Sequence, residues 1–167
     1  MIATTAAILV SACSSEAPPP KQQEETAASL KGGQYQGTFK VTALRSTDQT
    51  TPATSLKQDA TGTVAGCVAA DGTIDAALFA EDGDTCTVAN PYVRNGRIGM
   101  DLTCKRKGQT GEIRQSVSGS FTADSIDADV GANTYWSGTG DYAMTRTITA
   151  KRVGECSAAP ATAEKPS

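Results

Sequence analysis

The stretch CTVANPYVRNGRIGMDLTC, from Cys86 to Cys104, contains the strongest local fold signal in the chain. Asn95 and Gly96 stand between two runs that are rich in strand-forming residues. A two-residue type I′ turn needs positive φ angles at both central positions, which asparagine and glycine adopt most readily. The stretch therefore predicts a β-hairpin with Asn95 and Gly96 at its tip.

Apolar and polar residues alternate with period two on both sides of this hairpin, which is typical of strands with one buried face. The alternating runs are residues 35–45, 61–69, 111–123, 125–130 and 141–153. Residues 73–80 are the one good helix candidate, with Thr73 as the N-cap. These patterns predict an all-β fold, a small antiparallel barrel or sandwich of about seven or eight strands with one short helix.

The alternation also assigns inward faces. The first run is expected to bury the side chains of Tyr35, Phe39, Val41 and Ala43. The last run is expected to bury Met144 and Ile148 and to expose Thr145, Thr147 and Thr149.

The apolar opening of the chain indicates export rather than a membrane span. Residues 2–10 are apolar but too short to cross a bilayer as a helix, and their length suits the core of a signal peptide. Val10, Ser11, Ala12 and Cys13 resemble the bacterial lipobox, in which the cysteine is acylated and becomes the first residue of the mature protein. The resemblance implies lipidation of Cys13 and a membrane partner. Ser14 stands where an aspartate would imply inner-membrane retention, so the implied location is the periplasmic face of the outer membrane.

Composition divides the remaining chain into a folded part and two tails. Residues 14–33 and 157–167 are rich in Pro, Ala, Ser, Gln and charged residues, with almost no large apolar side chains. We therefore expect a lipoprotein signal peptide at residues 1–12, a disordered tether at 13–33, a β domain at 34–156 and a disordered tail at 157–167.

The cysteine count supports this division. Five cysteines leave an even number, Cys67, Cys86, Cys104 and Cys156, once Cys13 carries lipid. Counting outward from the turn places Cys104 opposite Thr87, so Cys86 and Cys104 would lie on opposite faces. Two connectivities then remain, and we favour Cys67 to Cys86, which would hold the helical segment on the sheet, with Cys104 to Cys156, which would join the ends of two strands. A bulge at Pro91 would instead shift the register and bring Cys86 to Cys104.

Several segments together resemble a known bacterial family. They are GCVAADG, DTCTV, NGRIGMDLTC and the closing MTRTITAKRVGEC, spread over residues 33–156. They are similar to domain-of-unknown-function family 3617, whose members are small secreted or lipid-anchored proteins with four cysteines. The resemblance implies the fold and export but assigns no activity.

The composition argues against several function classes. Histidine is absent, which removes the commonest acid–base catalyst and metal ligand near neutral pH. A net charge of -3, with acidic and basic residues interspersed, disfavours nucleic acid as a partner. The acidic stretch at residues 81–85 lacks the later glutamate of an EF-hand calcium loop. We therefore expect a non-enzymatic protein without metal or cofactor.

Two sets of residues are candidates for binding. Tyr135 and Trp136 lie in a glycine-rich segment and could line the mouth of a barrel. A second set would form a basic patch for lipid phosphates if two strand ends met: Lys105, Arg106, Lys107, Lys151 and Arg152. The leading interpretation is a binding module for a small apolar ligand or an envelope component. The alternative is an inhibitor of a hydrolase such as lysozyme, since bacterial lysozyme inhibitors are similar small disulfide-bonded lipoproteins.

The first prediction concerns Cys13. Mass spectrometry of the mature protein from its native bacterium should show a chain that begins at Cys13 and carries a diacylglyceryl group. The Cys13→Ala variant should move from the membrane fraction to the soluble fraction, because it has no acyl chains to insert. A variant that still sediments with membranes would contradict lipid anchoring.

Overall fold

The computed structural model describes residues 29–156. In this part of the chain, seven strands form one antiparallel sheet that curls into a half-barrel, which confirms the predicted all-β class. The strands are β1 Gly33–Ser46, β2 Thr61–Val68, β3 Asp84–Arg94, β4 Arg97–Arg106, β5 Gly111–Phe121, β6 Ser125–Trp136 and β7 Tyr142–Gly154. Their order across the sheet is β2-β1-β7-β6-β5-β4-β3, so β2 and β3 are the edges.

The half-barrel has two distinct ends. The proximal end is the one at which Gly33 begins β1, and it also holds Val68 and Phe121 at the ends of β2 and β5. The distal end holds Ser46, Arg106 and Trp136, where β1, β4 and β6 finish.

The core lies on the concave face of the sheet. Strands β4 to β7 bury alternate side chains along most of their length, as the sequence predicts. The gap between the edges β2 and β3 is crossed by their connection, residues 69–83, which buries Ile74, Leu78 and Phe79 in the same core. Gly66 on β2 permits this approach, because a Cβ there would lie 2.9 Å from the Cβ of Leu78.

The helix predicted at residues 73–80 is mostly wrong. Only Ala76–Leu78 form a 3-10 turn, and it is Asp75 rather than Thr73 that caps it, by accepting from the backbone N–H of Ala77 at 2.9 Å. The residues before the turn are extended because they pair with the end of β2: Asp75 N–H donates to Cys67 O, and Ala69 N–H donates to Thr73 O, each at 2.8 Å. Because these bonds hold residues 73–75 in an extended conformation, the first turn of the predicted helix cannot form.

The hairpin has the predicted tip but not the predicted register along its whole length. Asn95 and Gly96 adopt φ angles of 53° and 68°, and Val93 pairs with Ile98 as expected. A bulge between Ala89 and Tyr92 then shifts the register by one residue. Beyond it, Cys86 lies directly opposite Cys104.

The predicted disulfide pairs are therefore wrong, and the alternative that depended on a bulge is the one observed. Cys86 bonds to Cys104, with the Cα atoms 4.0 Å apart, and Cys67 bonds to Cys156, with the Cα atoms 5.7 Å apart. The second bond passes across β1, since Gln34 pairs with Cys67 on one side and with Gly154 on the other.

A second bulge, in β1, changes which of its residues face the core. Tyr35 and Val41 are fully buried as predicted, but the register against β7 shifts between Val41 and Ala43. Ala43 consequently faces solvent and Leu44 turns inward.

One domain boundary and one strand end also differ from the prediction. Residues 29–33, predicted as tether, belong to the domain, because Leu30 is buried and the Lys31 N–H donates to Ala123 O at 3.0 Å. Strand β6 continues to Trp136 rather than ending at Val130. The predicted signal peptide, Cys13, the rest of the tether and the tail lie outside the described residues.

The disulfide pairing gives the second prediction. Non-reducing peptide mapping should link Cys67 with Cys156 and Cys86 with Cys104, and a peptide linking Cys67 with Cys86 would contradict the fold. The sequence separation is 89 residues for the Cys67–Cys156 bond and 18 residues for the Cys86–Cys104 bond. Loop-closure entropy predicts that the bond closing the longer loop stabilises the domain by about 4 to 5 kcal/mol and the other bond by about 3 kcal/mol. The free energy of unfolding should therefore fall more in the Cys67→Ala/Cys156→Ala variant than in the Cys86→Ala/Cys104→Ala variant.

Candidate ligand-binding site

A large cavity lies at the proximal end, between the last residues of the two edge strands. Its volume is about 960 Å³. On one side it is bounded by Val68 and the turn that follows β2, and on the other by Val93 and Arg94 of β3. It exists because β2 and β3 do not pair with each other, and because the buried part of their connection begins only at Ile74. We call it the proximal cavity.

The inner wall of the proximal cavity is apolar. Leu30, Val68 and Phe121 are buried core residues that line it, and half-buried Val93 lines it as well. The disulfide between Cys67 and Cys156 forms part of the wall. A concave, mostly apolar site with few polar groups is the usual form of a small-molecule pocket.

Most charged groups at the rim of the proximal cavity already have partners. Lys31 forms an ion pair with Asp124 at 3.1 Å. Glu155 pairs with Arg152, whose Nε also donates to Gly32 O at 2.7 Å.

A different environment closes the distal end, where two carboxylates and one arginine lie together in the interior. Arg106 donates to both carboxylate oxygens of Asp84, at 2.7 and 2.9 Å, and forms an ion pair with Glu81 at 3.0 Å. Glu81 also accepts from the hydroxyl of Tyr142 at 2.9 Å and from that of Thr54 at 2.5 Å. We call these five residues the distal charge cluster.

The pKa shifts in the distal charge cluster follow from burial and from these partners. Burial raises the pKa of Tyr142 well above its ordinary value, and the negative charge of Glu81 raises it further. Burial alone would lower the pKa of Arg106, but the hydrogen bond to Asp84 and the charge of Glu81 raise it on balance. At neutral pH the cluster therefore holds a neutral tyrosine and a charged arginine.

Arg146 is the most unusual buried residue of the core. It lies on the concave face of β7, is 1% exposed, and donates to the carbonyl oxygens of Phe79 at 2.5 Å and Ala80 at 3.4 Å. Its guanidinium carbon lies 5.4 Å from the ring centre of Phe39, and its Nε has no hydrogen-bond partner among residues 29–156. Burial lowers its pKa. Its hydrogen bonds hold the end of the 3-10 turn inside the half-barrel.

A second cavity, the side cavity of about 570 Å³, opens beside Arg146. Phe39, Leu56 and Val64 form its apolar part, while Glu81 and Asp84 supply carboxylates. Both of these carboxylates already bind Arg106, whereas Asp82 and Arg146, which also line the cavity, are not part of that ion pair.

The two aromatic candidates do not form one binding surface. Tyr135 and Trp136 are adjacent at the end of β6, so their side chains point to opposite faces of the sheet. Trp136 is buried at the distal end beside Arg106, whereas Tyr135 is 56% exposed on the convex face, near Arg114. Neither residue lines the proximal or the side cavity.

The predicted basic patch is wrong. Lys105, Arg106 and Lys107 lie at the distal end, whereas β7 carries Lys151 and Arg152 to the proximal end, where they pair with Ser125 and Tyr35. Arg106 moreover points inward to Asp84. Antiparallel pairing through β5 and β6 makes β4 and β7 run in opposite directions, so their C-terminal ends cannot meet.

The buried polar residues Glu81, Gln115 and Arg146 were not anticipated from the sequence. A signal was present for two of them: Gln115 lies between Ile113 and Val117, and Arg146 between Met144 and Ile148, at the inward positions of their strands. Both amide atoms of Gln115 lack hydrogen-bond partners in the described part of the chain. Glu81 lies in a connection, where period-two reasoning does not apply.

Within residues 29–156, no group of three His, Cys, Asp or Glu side chains is arranged to hold a metal ion. Of the helical segments described there, none has the length and apolar character that a membrane span requires.

Tyr142 gives a prediction about alkaline pH. Because folding raises the pKa of Tyr142 above its ordinary 10.0, the folded state binds more protons than the unfolded state at high pH. Its contribution to stability is fully present below about pH 10 and is lost progressively as the pH rises toward the raised pKa of the folded state, so the free energy of unfolding should fall steadily from about pH 10 upward. Urea unfolding of Tyr142→Phe should show a smaller decline, and a loss of about 1 to 3 kcal/mol at neutral pH because Glu81 loses a donor.

Tyr135→Phe is the matched control for this measurement, since it removes an exposed hydroxyl from the convex face. It should retain the alkaline decline of the unmodified protein. An identical decline in Tyr142→Phe would mean that another group causes it.

Comparison with known proteins places this fold in a family. The model of the family described as "Protein of unknown function (DUF3617)" matches residues 20–156, which is most of the chain and all of the described domain. Neither the curated proteins nor the solved structures contain a significant match. The chain belongs to the DUF3617 family.

Proposed function

We propose that this protein is a lipid-anchored, non-catalytic binding module of the bacterial cell envelope, and that it binds an apolar ligand or part of an envelope component in the proximal cavity. The observation that carries the proposal is the cavity itself, about 960 Å³ with an apolar inner wall between two unpaired sheet edges. Pockets of this size and lining bind small molecules in many proteins.

The cysteines support the anchor. The two disulfides use all four cysteines that follow Cys13, so lipidation of Cys13 leaves every cysteine of the chain with a role. Disulfides form in oxidising compartments such as the bacterial periplasm. With Ser14 after the lipidated position, we place the protein on the periplasmic face of the outer membrane.

The N-terminal end of the described domain relates the anchor to the cavity. Ser29 and Leu30 line the proximal cavity, so the segment that leads back to Cys13 starts at the same end as the cavity. The fifteen residues between Cys13 and Ser29 could extend to at most roughly 55 Å, which keeps the domain near the bilayer. A ligand that leaves or enters the membrane would meet this end of the half-barrel first.

Inhibition of a hydrolase such as lysozyme is the second candidate, and the edge strand β3 favours it. Tyr92 is 40% exposed there, and the guanidinium of Arg94 stacks 4.6 Å from the centre of its ring. Tyrosine and arginine anchors are frequent hot spots of protein interfaces. Co-elution of the Cys13→Ala protein with lysozyme in gel filtration, lost in Tyr92→Ala, would support this function over ligand binding.

The proposed function predicts how a cavity-filling variant behaves. The full chain carrying Cys13→Ala should enhance the fluorescence of the neutral apolar probe N-phenyl-1-naphthylamine. Val93→Trp should reduce this signal to background, because the indole fills the cleft. Val153→Trp is the matched control, since Val153 is 57% exposed near the same end and does not line the cavity.

Circular dichroism should show that both tryptophan variants keep the β fold of the parent. Absence of probe binding by the parent protein would contradict the proposal. Equal binding by Val93→Trp and Val153→Trp would also contradict it, because the probe would then occupy another site.

A further inference from the structure

The outer edge of β2, which faces away from β1, is only partly used by the fold. Near the proximal end, Val68 forms an antiparallel bridge with Ile74, and Cys67 O accepts the backbone N–H of Asp75 at 2.8 Å. The β2–β3 connection therefore lies against this part of the edge as a short antiparallel segment. It leaves the edge after Asp75, where the 3-10 turn begins.

The distal half of the same edge has backbone groups without partners. In an antiparallel strand, the N–H and C=O of one residue point to the same side, and the side alternates along the strand. Because Cys67 uses its outer side, Thr63 and Ala65 also point their N–H and C=O away from β1. Within residues 29–156, no group hydrogen-bonds to them on that side. An unpaired row of this kind is a template for another extended segment.

The side cavity adds a pocket for side chains to this free edge. Thr63, Val64 and Ala65 all line the cavity, together with residues 80–84 of the connection. The side chain of Val64 is buried and lies in the apolar part of the cavity with Phe39. A segment paired with Thr63 and Ala65 would point alternate side chains to the same face of the sheet as Val64, and therefore into the cavity.

The charges that line the side cavity indicate which side chain fits there. Arg106 binds the carboxylates of Glu81 and Asp84, whereas Asp82 is exposed and has no ion-pair partner in the described part of the chain. Arg146, the cation among the lining residues, is 1% exposed and binds backbone carbonyl oxygens of the connection. The accessible charge of the cavity is therefore negative. A lysine or arginine could place its apolar stem against Val64 and its cation at Asp82.

We propose that the free edge of β2 and the side cavity form a second binding site, which takes an extended, basic segment of a partner polypeptide. The segment pairs as an antiparallel strand with Thr63 and Ala65, and a lysine or arginine side chain enters the side cavity and binds Asp82. Strand addition draws affinity from main-chain hydrogen bonds and specificity from pockets for alternate side chains. The side cavity shares no lining residue with the proximal cavity, so this inference is independent of the proposed function.

The first test uses fluorescence anisotropy of a labelled heptapeptide, Ser-Val-Thr-Lys-Thr-Val-Ser, with the full chain carrying Cys13→Ala. When its third and fifth residues pair with Thr63 and Ala65, the central lysine points into the side cavity. N-methylation of the third and fifth residues removes the paired N–H groups, so the dissociation constant should rise about tenfold. N-methylation of the second and sixth residues is the matched control. Their N–H groups point away from β2, and the dissociation constant should not change.

Charge variants test the role of Asp82. A peptide with glutamate in place of the central lysine should bind the parent protein about fivefold more weakly, because repulsion replaces attraction. Asp82→Asn should remove this preference for lysine. Asp129→Asn takes the same charge from an exposed position of β6 and should keep the preference.

Contrary results would overturn the proposal. Absence of peptide binding by the parent protein, or equal weakening by the two N-methylated peptides, would exclude strand addition at β2. Equal loss of the lysine preference in Asp82→Asn and Asp129→Asn would make overall charge responsible.

Gel filtration tests whether a second copy of this chain occupies the edge instead. Ala65→Pro removes an outward N–H and leaves the hydrogen bonds between β1 and β2 in place, since proline is tolerated at such edge positions. It should abolish peptide binding by a monomeric protein. A parent dimer that Ala65→Pro dissociates would contradict the partner peptide. Binding of N-phenyl-1-naphthylamine reports on the proximal cavity separately, so failure of this site and failure of the proposed function are distinguishable.

Discussion

The open side of the half-barrel is the constraint on which the rest of this structure depends. Seven strands curl around a core, but β2 and β3 do not pair, so the core would be exposed to water between them. The β2–β3 connection closes part of this gap by burying Ile74, Leu78 and Phe79. Because Arg146 binds the carbonyl oxygens of Phe79 and Ala80 from inside, the connection is held by hydrogen bonds as well as by apolar contact.

The two ends of the gap are closed by different means, and this difference explains where a ligand can bind. At the distal end, Glu81, Asp84 and Arg106 bind one another, and Arg106 also donates to Ala53 O at 2.8 Å in the β1–β2 loop. Removing one partner from a buried ion pair typically costs about 3 to 5 kcal/mol, so this end resists opening. At the proximal end, the Cys67–Cys156 bond fixes the ends of β2 and β7 across β1, but no segment of the described chain fills the space between Val68 and Val93.

Much of the fold could be predicted from the sequence because period-two alternation and turn chemistry are local signals. The Asn95-Gly96 turn and the burial of Met144 and Ile148 could be predicted from the residues next to them in the sequence. The disulfide pairing could not be predicted in the same way, since the bulge between Ala89 and Tyr92 changes the β4 partner of every β3 residue from Asp84 to Ala89. The helix at residues 73–80 failed because hydrogen bonds to β2, which are tertiary contacts, override local helix preference.

The candidate site was harder to predict, because it depends on which strand ends meet. Alternation identified Val93 as a strand residue. That Val68 lines the same cavity depends on the curl of the half-barrel, which neither β2 nor β3 determines alone. The basic patch failed for the same reason, since strand directions separate Lys105 from Lys151. Arg146 shows the opposite case: its inward position is explicit in the alternation of β7, and only the general preference for burying apolar side chains argued against it. An arginine at an inward strand position of a small, incompletely closed sheet is therefore a sign that a backbone segment lies inside the sheet and offers carbonyl oxygens to it.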